Sequence, residues 1–415
     1  MHPLRSCTHL LLGSLLAALV ACGGGDSATT PPPPPPPPPP PTPALFTDAS
    51  ATNLPGGLIS SRCMDVQPVD YDSDGDQDLI LAIEFGSMML WRNDGNAVFS
   101  NAAAGMLANA ADHEDIALAD LDGDLDLDFA VAAEDTALHE YYIDDGTTFL
   151  GTNLVDSSVA NAVVAFDVDA DGSNDIVFGG TSLLVLINDG SGAFSVDPPG
   201  RFPVIAGVVQ DLVAVDVDND GDLDLALGNE GQNQLFLNQG GGVYTNGTAT
   251  HLPAVNDETR LMAFADVDGD GDLDLYVGNV LQELASPALQ DFLYANDGAG
   301  HVALSPSLVP PGAFNTYGGH FVDFDADGDQ DLVAAHANIL DGDQLIGFKL
   351  YRNNGTGTLA DATTAAFGGP VLEHGFGVAA ADFDGDLDID LYLCARGAAS
   401  SSGFIGRNDH LMLQD

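Results

Sequence analysis

Asp266-Val-Asp-Gly-Asp-Gly-Asp-Leu-Asp-Leu275 is the stretch on which the fold turns. Aspartates stand at every second position from 1 to 9, glycine at position 6, and an apolar residue follows. In this copy the odd positions are Asp266, Asp268, Asp270, Asp272 and Asp274. The same pattern begins the series as Asp70, Asp72, Asp74, Asp76 and Asp78, and again as Asp120, Asp122, Asp124, Asp126 and Asp128. The third copy runs Asp167, Asp169, Asp171, Ser173 and Asp175, the fourth Asp216, Asp218, Asp220, Asp222 and Asp224. After the copy at Asp266 come Asp323, Asp325, Asp327, Asp329 and Asp331, then Asp382, Asp384, Asp386, Asp388 and Asp390. The seven copies start 47 to 59 residues apart. A fixed period of this size is the mark of a repeat architecture.

Short apolar runs flank every copy. Asn161-Ala-Val-Val-Ala-Phe166 precedes the third, and Leu391-Tyr-Leu393 follows the seventh. They are too short for helices and rich in β-formers, so each loop is the turn of a β-hairpin. About fifteen residues on, a second turn signature recurs, as in Leu90-Trp-Arg-Asn-Asp-Gly95 and Ile187-Asn-Asp-Gly190. Asn, Asp and Gly between strands tolerate positive φ and close hairpins. Two hairpins per period make four strands. The expected fold is all-β: a seven-bladed β-propeller with four-stranded blades. The seventh repeat runs out soon after Asp409, whereas Leu45-Phe-Thr-Asp-Ala-Ser50 looks like an outer strand without a repeat. This N-terminal strand is expected to complete the last blade and remove a free sheet edge.

Aspartates at positions 1, 3, 5 and 9 can converge oxygens on a hard cation, with the position-7 backbone carbonyl added and glycine at 6 making the bend. Many flexible oxygen ligands favour calcium, about one ion per blade. More than half of the 63 acidic residues lie in these loops, where close like charges repel unless a cation sits among them. Leu125 and Leu387 replace glycine at position 6, and a positive φ is costly for leucine. Gly123 and Gly385 at position 4 are expected to relocate the bend. The repeats resemble the FG-GAP/VCBS family, the type also found in integrin α-subunit propellers. The resemblance covers residues 45–415 and implies a calcium-bearing propeller whose biological role is open.

The 415 residues carry 63 acidic and 9 basic side chains, a formal net charge of −54. That excess excludes nucleic acid as a partner. At the N-terminus Arg5 precedes an apolar stretch from Leu10 to Val20, too short to span a bilayer. Residues 1–21 read as a signal peptide, and Leu19-Val20-Ala21-Cys22 resembles the bacterial lipobox. By that resemblance Cys22 becomes the lipid-bearing N-terminus of an exported protein of the outer membrane, on its periplasmic or surface side. Lipid is then the sole membrane contact. Residues 22–44 form a tether containing Pro31 to Pro41, about 34 Å long as polyproline II.

Cys63 and Cys394 map to the face opposite the aspartate loops, in blades expected to be neighbours. They form either a disulfide across the closure seam or two buried thiols. Arg62, His113, Glu114, Arg260, His320, His336, Glu373 and His374 map to that face too, with longer connections at roughly 279–291 and 336–348. This is the expected ligand face, for a protein or a polysaccharide. No nucleophile–base pair or phosphate loop stands out. The leading expectation is a calcium-binding adhesion or binding module without catalysis. The alternative is a polysaccharide lyase or hydrolase with its site in the propeller channel.

Overall fold

Apolar runs before and after each aspartate loop form antiparallel strands because alternate residues on both faces find a neighbour to pack against. A computed structural model describes residues 44–56, 60–102, 107, 109–134, 138–146, 148–155, 159–280, 290–305, 315–338, 344–396, 398–400, 403–405 and 407–414. The signal segment, Cys22 and the proline tether lie outside the described residues.

Among the described residues, seven four-stranded units follow one another. Their inner strands are Cys63–Val69, His113–Ala119, Ala160–Phe166, Val209–Val215, Asp257–Ala265, Asn315–Val322 and Gly375–Ala381. Each inner strand contacts the next, and Gly375–Ala381 returns to Cys63–Val69, so the ring is closed. The protein is an all-β propeller.

Every second strand begins at the last aspartate of its loop, as in Asp78–Ile83 and Asp331–Asn338. Asp78–Ile83, Asp128–Ala133 and Asp175–Gly180 are buried along their whole length. Seven apolar clusters hold the ring, one between each pair of adjacent blades. One of them joins Val66, Leu79 and Leu81 of the first blade to Ala379, Tyr392 and Leu411 of the last. Stability is therefore distributed around the circle through nearest-neighbour interfaces. Close blade contact also restricts side-chain size. A Cβ on Gly278 would lie 2.7 Å from Thr316 Cγ2 of the next blade.

The N-terminal strand closes the ring. Phe46–Asp48 pairs antiparallel with His410–Gln414, Phe46 lying opposite Gln414 and Asp48 opposite Met412. Ser50 Oγ then accepts the Leu411 amide at 2.9 Å, extending the seam. On the opposite face Cys63 and Cys394 are joined by a disulfide with a Cα–Cα distance of 5.5 Å. Blades one and seven are thus linked by strand pairing and by a covalent bond.

Candidate metal loops and channel mouth

The first carboxylate of each loop organises the bend. Asp70 accepts the amides of Asp74 at 3.1 Å and Gly75 at 3.0 Å, and Asp216 does the same for Asp220 and Gly221. The position-5 carboxylate then accepts the position-7 amide, as Asp74 does from Asp76. These bonds place positions 1, 3 and 9 together. Asp70, Asp72 and Asp78 each offer an oxygen within 4.8 Å of the others, as do Asp120, Asp122 and Asp128, Asp167, Asp169 and Asp175, and Asp216, Asp218 and Asp224.

The position-9 aspartates are anchored by backbone alone. Asp78 accepts Tyr71 N at 3.0 Å through one oxygen and Asn93 N at 2.6 Å through the other. The same pair of bonds recurs at Asp128, Asp175, Asp224, Asp274, Asp331 and Asp390. Burial outweighs these bonds and pushes Asp78, Asp224 and Asp331 up to about 7, and Asp128, Asp175, Asp274 and Asp390 to about 6. At position 3, burial and then the neighbouring position-5 carboxylate raise Asp72, Asp122, Asp218, Asp268 and Asp384. One carboxylate oxygen each of Asp169, Asp218 and Asp325 is buried with no hydrogen-bond partner. A buried carboxylate oxygen without a donor suits a cation, so this donor set fits calcium.

Position 7 behaves differently from its neighbours. The Asp76 carboxylate turns towards Gly95, Ser173 Oγ towards Gly190, and Asp272 towards Gly298. Its side chain packs on the glycine of the second hairpin instead of joining positions 1, 3 and 9. Arg352 occupies the loop of blade six, pairing with Asp325 at 2.5 Å and Asp327 at 2.7 Å.

The expected relocation of the bend at Leu125 and Leu387 does not occur. Leu125 has φ +81° and Leu387 φ +77°, close to Gly75 at +96°. Their amides reach Asp120 and Asp382 just as the glycine amides do elsewhere. Position 4 is left-handed as well, at Ser73, Ala170, Asn219 and Ala326 no less than at Gly123, Gly269 and Gly385. A glycine there adds nothing that could move the turn. Both leucines project into solvent, which removes the steric objection but leaves the backbone cost.

The second hairpin carries an inter-blade clamp that the sequence disclosed only as a turn. Asn93 Nδ2 donates to Phe383 O of the last blade at 2.7 Å, Asn188 Nδ2 to Leu121 O at 2.6 Å, and Asn296 Nδ2 to Val217 O at 2.8 Å. Each acceptor is position 2 of the preceding blade's loop. In blade four Tyr244 Oη takes over, reaching Val168 O at 3.4 Å.

At the other end, each inner strand carries a β-bulge near its start. The extra residues are Met64, Glu114, Asn161, Gln210, Arg260, Tyr317 and Phe376, and all line the central channel of about 500 Å³. They differ in every blade. The Tyr317 and Phe376 rings stack with centroids 4.2 Å apart, and the Arg396 guanidinium lies 5.3 Å from the Phe376 centroid. Arg396 also pairs with Glu84, one bond being 2.8 Å, and Arg260 with Glu258 at 3.1 Å. Burial, then the charges of Glu134 and Asp112, push Glu114 well above the usual carboxylate range. Below the mouth, Asp65, Asp115 and Asp211 accept the amides of Ile116, Val163 and Met262 from the following blades.

The residues expected on the ligand face divide. Arg260 and His320 line the channel, and Arg62 bridges to Arg396 at the closure seam. His113, His336 and His374 are buried, which corrects the expectation for these three. They sit at strand starts and ends whose side chains turn into the blade. His336 Nδ1 lies 2.9 Å from Thr316 Oγ1, and burial drives its pKa down to about 3, so it stays neutral. Glu373 faces His410. Of the long connections, residues 281–289 and 339–343 lie outside the described residues.

Among the described residues no helix is long and apolar enough to cross a membrane. No curated protein sequence matches the chain. Among solved structures it is similar to BBS1N in complex with ARL6DN, from a mercury-soaked crystal, at 12% identity and TM-score 0.55, over 90% of this chain and 98% of that one. It is similar to YCF48 bound to D1 peptide at 10% identity and TM-score 0.53, with the same coverage. A lower TM-score of 0.46 links it to an Agrocybe aegerita protein recognising non-reducing terminal N-acetylglucosamine, at 18% identity over 75% of this chain and 81% of that one. The profile of FG-GAP-like repeats matches residues 70–131, 167–227, 216–277 and 340–393, together more than half of the sequence. The chain belongs to the FG-GAP-like repeat family.

Proposed function

We propose that this propeller is a calcium-stabilised, non-enzymatic binding module. Exported and lipid-anchored through Cys22, it presents the channel mouth opposite the metal loops to a protein partner at the outer membrane. The observation that carries the calcium reading is the convergence of positions 1, 3 and 9 within 4.8 Å, with buried position-3 oxygens lacking any donor. In each loop the first, third and ninth carboxylates would hold the ion, and the fifth would complete the shell with its second oxygen, which in blade six requires Arg352 to release Asp327. Calcium would supply charge neutralisation where burial otherwise favours protonated carboxylates.

The binding reading rests on the seven bulge residues. The loops repeat because the ring needs them, whereas the mouth residues do not repeat and offer an aromatic pair, one arginine and amides on a rigid rim. BBS1N and YCF48 share this fold and were solved with a protein or peptide partner, ARL6DN and D1 peptide, which favours a protein over a polysaccharide.

Calorimetric melting with and without EGTA tests the metal. The expected result is a lower melting temperature on chelation, restored by calcium and not by magnesium. An unchanged curve overturns the calcium reading. Incubation with a panel of polysaccharides tests the absence of catalysis, and release of unsaturated or reducing products overturns it.

A further inference from the structure

Propeller blades expose one sheet edge each, and six of these edges are short. Their outer strands are Phe46–Asp48, Phe99–Asn101, Phe194–Val196, Tyr244–Asn246, Val302–Leu304 and Ala360–Asp361. In three of them the chain then turns into a helical segment whose hydroxyl takes the next amide of the third strand. Ser50 does this for Leu411, Thr248 for Leu235 and Thr363 for Leu350. Short strands that turn away are a recognised protection against unwanted strand pairing.

Blade two lacks this protection. Its outer strand Phe149–Val155 runs the full length of Leu138–Asp144, pairing continuously from Asp144↔Phe149 to Leu138↔Val155. Among the described residues its backbone is paired on one side only, and the Asn153 side chain accepts Asn109 Nδ2 at 2.9 Å. Phe149 anchors it against Phe129, with centroids 4.8 Å apart. Gly151 lies flat on the Tyr142 ring, where an added Cβ would come within 2.5 Å. Leu150, Gly151, Thr152 and Asn153 are exposed. The sequence Phe-Leu-Gly-Thr-Asn-Leu-Val contains no charge and no proline, the two devices that normally blunt an edge.

We propose that this strand is a docking edge for an extended segment of another protein, which adds to blade two as a fifth strand. Backbone hydrogen bonds along the strand supply affinity, and alternate side chains meet Leu150 and Thr152 on one face. The charge of the chain selects the partner. Two copies bearing −54 each repel, so the occupant is a foreign segment, uncharged through its paired residues and basic at its flanks. This surface lies on the rim of the ring and is independent of the channel mouth.

The test uses the full chain and the fluorescein-labelled peptide KTVTVTVTK. The expected result is a rise in anisotropy on titration, with slowed amide exchange confined to Phe149–Val155. Replacing the terminal lysines with glutamates weakens binding, and Thr152→Lys abolishes it without shifting the melting temperature. Leu150→Lys serves as a second variant should Thr152→Lys fail to fold. Protection at another blade, no anisotropy change, or binding unaffected by either foldable variant overturns the proposal. Sedimentation showing a dimer protected at Phe149–Val155 without peptide overturns the assignment of a foreign partner.

Discussion

Asn353 Nδ2 in blade six donates to Val267 O in blade five at 2.7 Å, across 86 residues of chain. A second bond from the same amide reaches Gln330 O within its own loop at 3.0 Å. One side chain thereby ties two adjacent aspartate loops to the second hairpin. Asn353→Ala removes both bonds, Val267 O keeping only the Gly357 amide at 3.0 Å, and is expected to cost about 1–3 kcal/mol. A urea titration at fixed calcium reads this as a lower midpoint with unchanged slope.

Blade two carries the reverse case. Asp144 occupies the position of Asn353, and its amide bonds Asp128 as the others do. A carboxylate cannot donate to the preceding loop, and burial raises its pKa. Asp144→Asn supplies the amide donor that the other blades aim at position 2 of the preceding loop, which here is Tyr71. The expected gain is about 1 kcal/mol, measured as a raised urea midpoint.

The two left-handed leucines make a backbone prediction. Leu125→Gly and Leu387→Gly relieve φ values of +81° and +77° while giving up side chains that are each 89% exposed. Relief of about 1–2 kcal/mol exceeds the entropic cost of glycine, so each substitution should raise stability by up to about 1 kcal/mol. The same change at a buried strand position would lower it. Denaturant midpoints of both variants check the sign.

Closure of the ring is pH-dependent through His410. Burial alone lowers its pKa, but Asp48 Oδ2 at 3.0 Å and Glu373 Oε1 at 3.6 Å more than reverse this and carry it to about 9. The folded value lies above the ordinary 6.5, so the stabilisation is complete below about pH 6.5 and is lost as pH rises through 9. Burial raises Asp48, but its bonds from His410 and Ser50 outweigh that and hold it at about 2, so its contribution persists until strongly acid pH. Amide exchange in Phe46–Asp48 should therefore accelerate between about pH 6.5 and 9 beyond the intrinsic rate increase. His410→Gln should remove that excess.

Reduction of Cys63–Cys394 should destabilise the seam further. The bond spans 331 residues, and a loop of that length corresponds to about 6 kcal/mol in the chain-entropy description. Melting of the Cys63→Ala/Cys394→Ala variant, compared with the oxidised protein, measures the loss.

The ring was legible because its signals are local. Aspartate alternation and apolar runs of about four to eight residues mark strands and turns directly. The unmatched strand at Leu45–Ser50 likewise declared its place, because one repeat lacked a piece. Contacts between blades were not legible. Asn93 and Asn188 looked like turn residues, since nothing nearby reveals that their amides reach Phe383 and Leu121 of other blades. His113, His336 and His374 were assigned to a face by their position along the strand, but side-chain direction decided their burial. The bulges hide for the same reason: an inserted residue such as Arg260 or Tyr317 changes the register without changing the local pattern. Leu125 and Leu387 show the limit of a propensity argument, because the surrounding amide–carboxylate bonds impose the left-handed turn on whatever residue occupies it.

Those inserted residues have an evolutionary corollary. A bulged position contributes one side chain to the rim while the strand on either side keeps its pairing. Substitutions there escape the constraint that binds every other residue of the inner strands, so the rim is free to drift one letter at a time. Selection can then retune what the molecule grips while the toroid beneath it stays unchanged.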